Sequence, residues 1–155
     1  MTEELIQLLQ QKQLTIAAYE SVTGGLFSHF LTNIPNASKV FLGSIVTYTN
    51  NVKVDIGHVP ATIIAQYGVV SKQTAEAMAI ACQNQFKSDL AVSFTGNAGP
   101  GQLEQLPIGT IFATIIYQNN PSTFELSLNK TWPRTKIKSI AVITIIKHLL
   151  EIISK

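Results

Sequence analysis

Apolar residues at Leu5, Ile6, Leu8 and Leu9 recur at close to helical spacing, and Glu3 and Glu4 sit where a helix N-terminus favours acidic groups. A first helix is expected there. Leu14 to Tyr19 is a short apolar run that suits a buried strand, and it passes directly into Glu20-Ser21-Val22-Thr23-Gly24-Gly25. A helical stretch follows to about Asn33. Val40 to Thr49 predicts a second strand, ended by Asn50-Asn51, with a short helical or turn segment carrying Lys53 beyond it. Pro60 can open another short helix, and Gly68 stops it. Ser71 suits the N-cap of a helix over Lys72 to Phe86, whose Ala75, Met78, Ala79 and Cys82 share one face. Leu90 to Phe94 predicts a third buried strand, followed by the richest glycine cluster of the chain, Thr95 to Gly101. Ile108 to Tyr117 and Thr123 to Leu128 read as a hairpin across Asn119-Asn120-Pro121, and a long helix runs from about Thr135 to Ile153.

Strands interleaved with helices predict an α/β fold, a three-layer α/β/α sandwich. The late hairpin requires an antiparallel pair, so the sheet is expected to be mixed. With 155 residues and no linker, repeat or low-complexity segment, residues 1–155 are read as a single domain.

Composition narrows the classes of function. Eleven basic against nine acidic residues give a formal charge of +2, and Arg134 is the single arginine. Nucleic-acid binders carry a clustered basic excess, so none is expected as a partner. Cys82 is the only cysteine, which excludes an internal disulfide and a zinc site of several thiolates. The first residues lack a signal-peptide pattern. The most apolar stretch, Ile137 to Ile153, is broken by Lys138, Lys147, His148 and Glu151, so no membrane span is expected. A cytoplasmic protein is the resulting expectation.

Three places carry candidate chemistry. Ser21 lies between a strand and a helix, where unpaired helical N–H groups and the helix dipole favour a phosphate or an oxyanion. Gly24 and Gly25 keep the backbone bare for a close approach. Alternatively, Ser21 or Thr23 simply caps the helix. His29 is two turns further on and cannot fold back to Ser21, and the three histidines share no metal-ligand spacing. Tyr48 and Lys53 are the second place. A lysine serves as a base only when neutral, so its pKa of ~10.4 must fall by desolvation or a nearby positive potential. The competing reading is a strand-end aromatic and a solvated charge. The third place is the Thr95–Gly99 turn, where Thr95, Gly96 and Gly99 either offer N–H groups to an oxygen or merely turn the chain tightly.

Taken together, these segments resemble one family. Glu20 to Gly25 is similar to its Glu-Ser-Cys-Thr-Gly-Gly turn, and Val46 to Lys53 to its Val-Thr-Tyr-Ser-Asn-x-x-Lys stretch. Gly68-Val69-Val70-Ser71 resembles Gly-Ala-Val-Ser, Ser93 to Pro100 resembles Ser-x-Thr-Gly-x-Ala-Gly-Pro, and Pro107 to Thr110 resembles Pro-Val-Gly-Thr. On these motifs the chain is identified as a member of the CinA C-terminal domain family, whose characterised enzymes are nicotinamide-nucleotide amidohydrolases. The resemblance spans nearly the whole chain in register. It implies a three-layer α/β/α fold that converts nicotinamide mononucleotide to nicotinic acid mononucleotide and ammonia, in pyridine-nucleotide salvage. It further implies the stand-alone form, without the additional N-terminal domain of longer CinA proteins.

By motif, the resemblance makes Ser21 the nucleophile, Lys53 the base and Tyr48 a relay or orienter, with no metal or organic cofactor. Backbone N–H groups near Thr23 and Gly24 would stabilise the oxyanion. The substrate's phosphate is expected first at the Thr95–Gly99 turn and secondarily at Arg134. The family tends to self-associate, so a homo-oligomer is expected. There are departures: Val22 replaces a cysteine, Lys138 stands where a second arginine is common, and Leu106 precedes Pro107 where lysine is frequent. Substitution of lysine for arginine keeps the charge but loses the bidentate fork. Two other readings stay open: a non-catalytic nucleotide-binding or protein-interaction module tied to competence and DNA damage, and a hydrolase of another small amide.

Overall fold

The computed structural model describes residues 1–155. In chain order the elements are α1 (Thr2–Lys12), β1 (Ile16–Glu20), α2 (Leu26–Thr32), β2 (Phe41–Val46), α3 (Asn50–Asp55), α4 (Ala61–Tyr67), α5 (Lys72–Phe86), β3 (Leu90–Gly96), β4 (Thr110–Tyr117), β5 (Asn120–Ser127) and α6 (Arg134–Ile153). A 3₁₀ turn at Ala37–Lys39 leads into β2. The five strands form one sheet in the order β2-β1-β3-β4-β5. β1 pairs in parallel with β2 and with β3, while β4 and β5 continue the sheet antiparallel, so it is mixed.

Period-2 alternation decides which helix meets which face. Ile16 and Ala18 of β1, with Leu90, Val92 and Phe94 of β3, join a cluster of 24 buried residues under α1, α2 and α6. Ala17, Tyr19 and Ala91 point the other way, into an eight-residue cluster with Met78, Ala79 and Cys82 of α5. The unequal sizes follow from the cover: α1, α2 and α6 lie on one face, whereas α5 is the main cover of the other, where polar β3 side chains tie it down. Ser93 Oγ donates to the Ala75 carbonyl at 2.6 Å, and Thr95 Oγ1 to the Val69 carbonyl at 2.7 Å. Ser93 thus faces the sheet–helix contact.

The boundaries differ from the sequence reading at two places. β2 ends at Val46, so Thr47 and Tyr48 lie in the connection to α3 rather than in the strand. The hairpin turn is Gln118-Asn119, both at positive φ as a two-residue type I′ turn requires, and Pro121 sits inside the edge strand β5. No helix is long and apolar enough to cross a membrane.

Parallel pairing is what assembles the site. Glu20 is level with Val46 on one side and with Phe94 on the other. All three parallel strands therefore end at one edge of the sheet. The β1–β2 crossover carries α2 on one face, and the β2–β3 crossover carries α5 on the other. The crevice between such oppositely directed crossovers is where open α/β sheets bind ligands.

Candidate active site

Ser21 follows the last residue of β1, its amide donating to the Phe94 carbonyl of β3 at 3.0 Å. Lys53 reaches the same point from α3, whose N-cap Thr49 accepts from the Val52 amide at 3.3 Å. Lys53 Nζ lies 3.0 Å from Ser21 Oγ, 2.8 Å from the Thr47 carbonyl and 3.1 Å from the Tyr48 carbonyl. The lysine is fully buried. Burial pulls its pKa down to about 8, against a smaller upward pull from the Glu104 carboxylate. A neutral amine has two N–H bonds and one lone pair. With the two carbonyls taking the hydrogens, the lone pair is left for the serine hydroxyl.

Tyr48 is present, but its ring does not lie between serine and lysine. Its main-chain carbonyl adjoins both, 3.4 Å from Ser21 Oγ and accepting from Lys53 Nζ at 3.1 Å. Its half-exposed side chain turns outward, where the hydroxyl accepts from Arg134 Nη2 at 3.1 Å. Arg134 Nη1 donates to the Gly99 carbonyl at 2.6 Å. Arg134 therefore joins the β2–α3 connection, the β3–β4 loop and the start of α6. One turn along α6, the Lys138 ammonium lies 3.5 Å from the position a Cβ on Gly24 would occupy.

The helix after Ser21 is not open to an anion, contrary to the sequence reading. α2 begins only at Leu26, and Glu20 fills its N-terminus. The buried carboxylate accepts from Thr23 Oγ1, the Gly25, Phe27 and Ser28 amides and Ser28 Oγ, at 2.6–3.1 Å. The Gly24 amide is also taken, by the Ser21 carbonyl at 3.1 Å. The amides of Val22 and Thr23 find no acceptor in the chain, although both residues are buried. Unpaired amides in buried residues are rare and costly, and here two adjoin a serine.

The Thr95–Gly99 turn also departs from its expected role. The Thr95 hydroxyl is committed to Val69, the Asn97 amide to the Thr110 carbonyl at 2.9 Å, and the Gly99 amide to Asn97 Oδ1 at 2.9 Å. Thr95 and Gly99 are thus held by the fold rather than offered to a phosphate. Gly96 lines the cleft wall. That cleft has a volume of about 230 Å³, with Ser21, Tyr48, Asn97, Ala98, Leu103 and Arg134 around it. A larger one of about 360 Å³ beside Gln10 and Lys39 lies at the opposite end of the strands and holds no nucleophile. No three His, Cys, Asp or Glu side chains converge as metal ligands.

Glu20, Asn97, Glu104 and the Thr47 carbonyl were not singled out from the sequence. A glutamate closing the apolar run of Leu14 to Tyr19 was a visible signal for Glu20. The other three depend on long-range contacts with no local signature.

Comparison with known proteins agrees with this architecture. The CinA C-terminal domain family matches residues 1–153. A CinA-like protein of Pseudothermotoga lettingae is 46% identical over 116 residues, covering 74% of this chain and 29% of that protein. Protein MG115 of Mycoplasma genitalium is 38% identical over 126 residues, 81% of this chain and 80% of its own. The crystal structure of the competence/damage inducible protein CihA from Agrobacterium tumefaciens superposes with a TM-score of 0.89 at 31% identity, covering 99% of this chain and 96% of that one. The chain spans between 29% and 35% of the length of five curated relatives it matches. With its mixed sheet, its strand-edge cleft and a family match along almost its whole length, the chain belongs to the CinA C-terminal domain family.

Proposed function

We propose that this chain is a serine amidohydrolase that hydrolyses the carboxamide of nicotinamide mononucleotide to nicotinic acid mononucleotide and ammonia. The observation that carries the reading is the 3.0 Å contact between Ser21 Oγ and a fully buried Lys53 whose other partners are two carbonyls. An inert surface lysine has no reason to give up water, and a capping serine has no need of an amine.

Neutral Lys53 takes the hydroxyl proton as Ser21 Oγ attacks the amide carbon. The carbonyl oxygen becomes an oxyanion and is received by the Val22 and Thr23 amides. Protonated Lys53 then gives its proton to the departing nitrogen, which leaves as ammonia, and Ser21 is left as an ester. Water, losing its proton to Lys53, hydrolyses the ester and restores the serine. Tyr48 acts as an orienter through its carbonyl, while its ring walls the cleft. A volume of about 230 Å³ suits a ring carboxamide. The ribose phosphate extends towards Arg134 and Lys138, which supply the positive charge that the β3 turn does not.

Ammonia release and acid formation from nicotinamide mononucleotide, measured beside folded Ser21→Ala protein, test the reading. Turnover is expected in the parent and absent in the variant. A well-folded parent with no turnover overturns the substrate. Binding without turnover would then favour a silent nucleotide-binding module, and ammonia from other amides a different amidase.

A further inference from the structure

The loop that leaves β3 and returns as β4 has a turn at its tip that its sequence does not favour. The Leu106 amide donates to the Leu103 carbonyl at 3.0 Å, and the two residues between, Glu104 and Gln105, have φ of 54° and 62°. Two successive left-handed residues are the province of Asn and Gly; for Glu and Gln they carry strain. Such strain persists where surrounding contacts over-determine it, commonly beside a functional site.

The compensating contact is at hand. Glu104 Oε1 accepts from the Val69 amide at 2.6 Å, and Oε2 from the Val70 amide at 2.9 Å. Charge-assisted bonds of this kind are roughly twice as strong as neutral ones. The receiving segment is itself fixed. The Gly68 carbonyl accepts from Ser71 Oγ at 3.0 Å and from Thr74 Oγ1 at 2.6 Å, and the Val69 carbonyl accepts from Thr95. Gly68 has φ +84°, and a Cβ there would lie 2.7 Å from Glu104 Oε2, so a glycine is needed for the carboxylate to dock. At the loop's base, Asn97 Nδ2 donates to the Gly101 carbonyl at 3.0 Å. Leu103, beside Glu104, is 43% exposed, and it stands over the cleft that holds Ser21.

We propose that Glu104 is a positioning residue: by clasping the Val69 and Val70 amides it holds the strained 103–106 turn closed, so that Leu103 forms an apolar wall for the ring of an aromatic carboxamide. This rests on the amidohydrolase reading of Ser21. Glu104 touches no reacting atom; it acts on binding through Leu103, and on Lys53 only by the smaller upward pull of its charge.

The test is steady-state kinetics on nicotinamide mononucleotide with Glu104→Ala, Glu104→Gln, Leu103→Ala and the Glu104→Ala/Leu103→Ala double variant, together with amide hydrogen exchange at Val69 and Val70. Glu104→Ala is expected to raise KM about tenfold with kcat changed less than about threefold, and Leu103→Ala to do the same. Because one residue acts through the other, the double variant should be no more than about twofold worse than either single. Glu104→Gln, which keeps one acceptor oxygen, should fall between. Exchange at Val69 and Val70 should quicken in Glu104→Ala and stay unchanged in Leu103→Ala. An active parent whose KM is untouched by Glu104→Ala, or single effects that multiply in the double variant, overturns the proposal and leaves the Ser21 reading standing. A parent that releases no ammonia from nicotinamide mononucleotide overturns the substrate reading on which the proposal rests, and unchanged exchange in Glu104→Ala overturns the clasp whatever the activity.

Discussion

The turns after β1 and β3 look alike in sequence, each a short run of Ser, Thr and Gly beyond a buried strand, yet the chain uses them differently. Each is accompanied by a glutamate that accepts from backbone amides, but the amides lie in different places. Glu20 fills the start of α2 from within its own turn, whereas Glu104 crosses from the β3–β4 loop to the segment before α5. The β1 turn leaves two amides open next to a serine. In the β3 turn the Asn97 and Gly99 amides are closed onto the protein's own oxygens, and only that of Ala98, which lines the cleft, is left without an acceptor. A glycine-rich turn at a strand end is therefore not by itself an anion site; which amides stay unpaired decides it.

The largest effect should come from removing the base on the reactive side. Lys53→Met is expected to lower kcat/KM by at least about a thousandfold, since it removes the proton acceptor and keeps a buried chain of similar length. The parent's pH profile sharpens this. In the proposed mechanism Lys53 works as the neutral amine, and burial draws its pKa down to about 8. The rate should therefore be low at acid pH, rise as pH passes through about 8, and level off above it. An acid limb near the histidine range, or a Lys53→Met enzyme with appreciable turnover, would put the base elsewhere.

Much of this arrangement was legible in the sequence, for physical reasons. Apolar runs and their bounding Asn, Pro and Gly residues located every strand, the Gly68 stop closed α4, and the Ser71 cap opened α5. The pairing of Ser21 with Lys53 was implied by the family resemblance rather than by spacing, and three parallel strands ending at one edge are what bring the two residues together. Side-chain direction past a strand end was not legible. The period-2 rule lapses after Val46, so it could not say that Tyr48 presents its carbonyl inward and its hydroxyl to Arg134. The helix was expected after Gly25, where α2 starts, but no local pattern revealed that Glu20 folds back across that turn onto its amides.

The next effect is on stability, and it separates the two glutamates. Glu20→Ala leaves donors on Thr23, Gly25, Phe27 and Ser28 without their acceptor in a buried setting. We expect a loss of about 3 kcal/mol and a Tm lower by about 10 °C in thermal unfolding. Glu104 lies in a more open loop, so Glu104→Ala should cost less than about 1.5 kcal/mol. Equal losses would mean that both turns are structural to the same degree, and the contrast between them would fail.

Smaller again is the expected effect of the cation that bridges the turns. Arg134→Ala removes the charge at the cleft and its bonds to the Gly99 carbonyl and Tyr48 hydroxyl. KM for nicotinamide mononucleotide should rise about tenfold to thirtyfold, while turnover of the dephosphorylated nucleoside should barely change. Equal damage to both substrates would make Arg134 a strut for the loop rather than a phosphate ligand.

The smallest difference compares one glycine from each turn. Gly24 has φ +59°, and a methyl group there would stand 3.5 Å from the Lys138 ammonium, an ordinary contact distance. The space is sufficient, so the cost of Gly24→Ala is the left-handed backbone alone, about 1 kcal/mol. Gly101 has no positive φ, and a methyl group there would meet nothing within 4 Å. Gly101→Ala should then fall within about 0.5 kcal/mol of the parent in denaturant unfolding, or gain slightly through a stiffer unfolded chain. A Gly101→Ala loss as large as that of Gly24→Ala would show that the wall-forming loop is as tightly specified as the reactive turn, and that its glycine serves the site rather than merely the path of the chain.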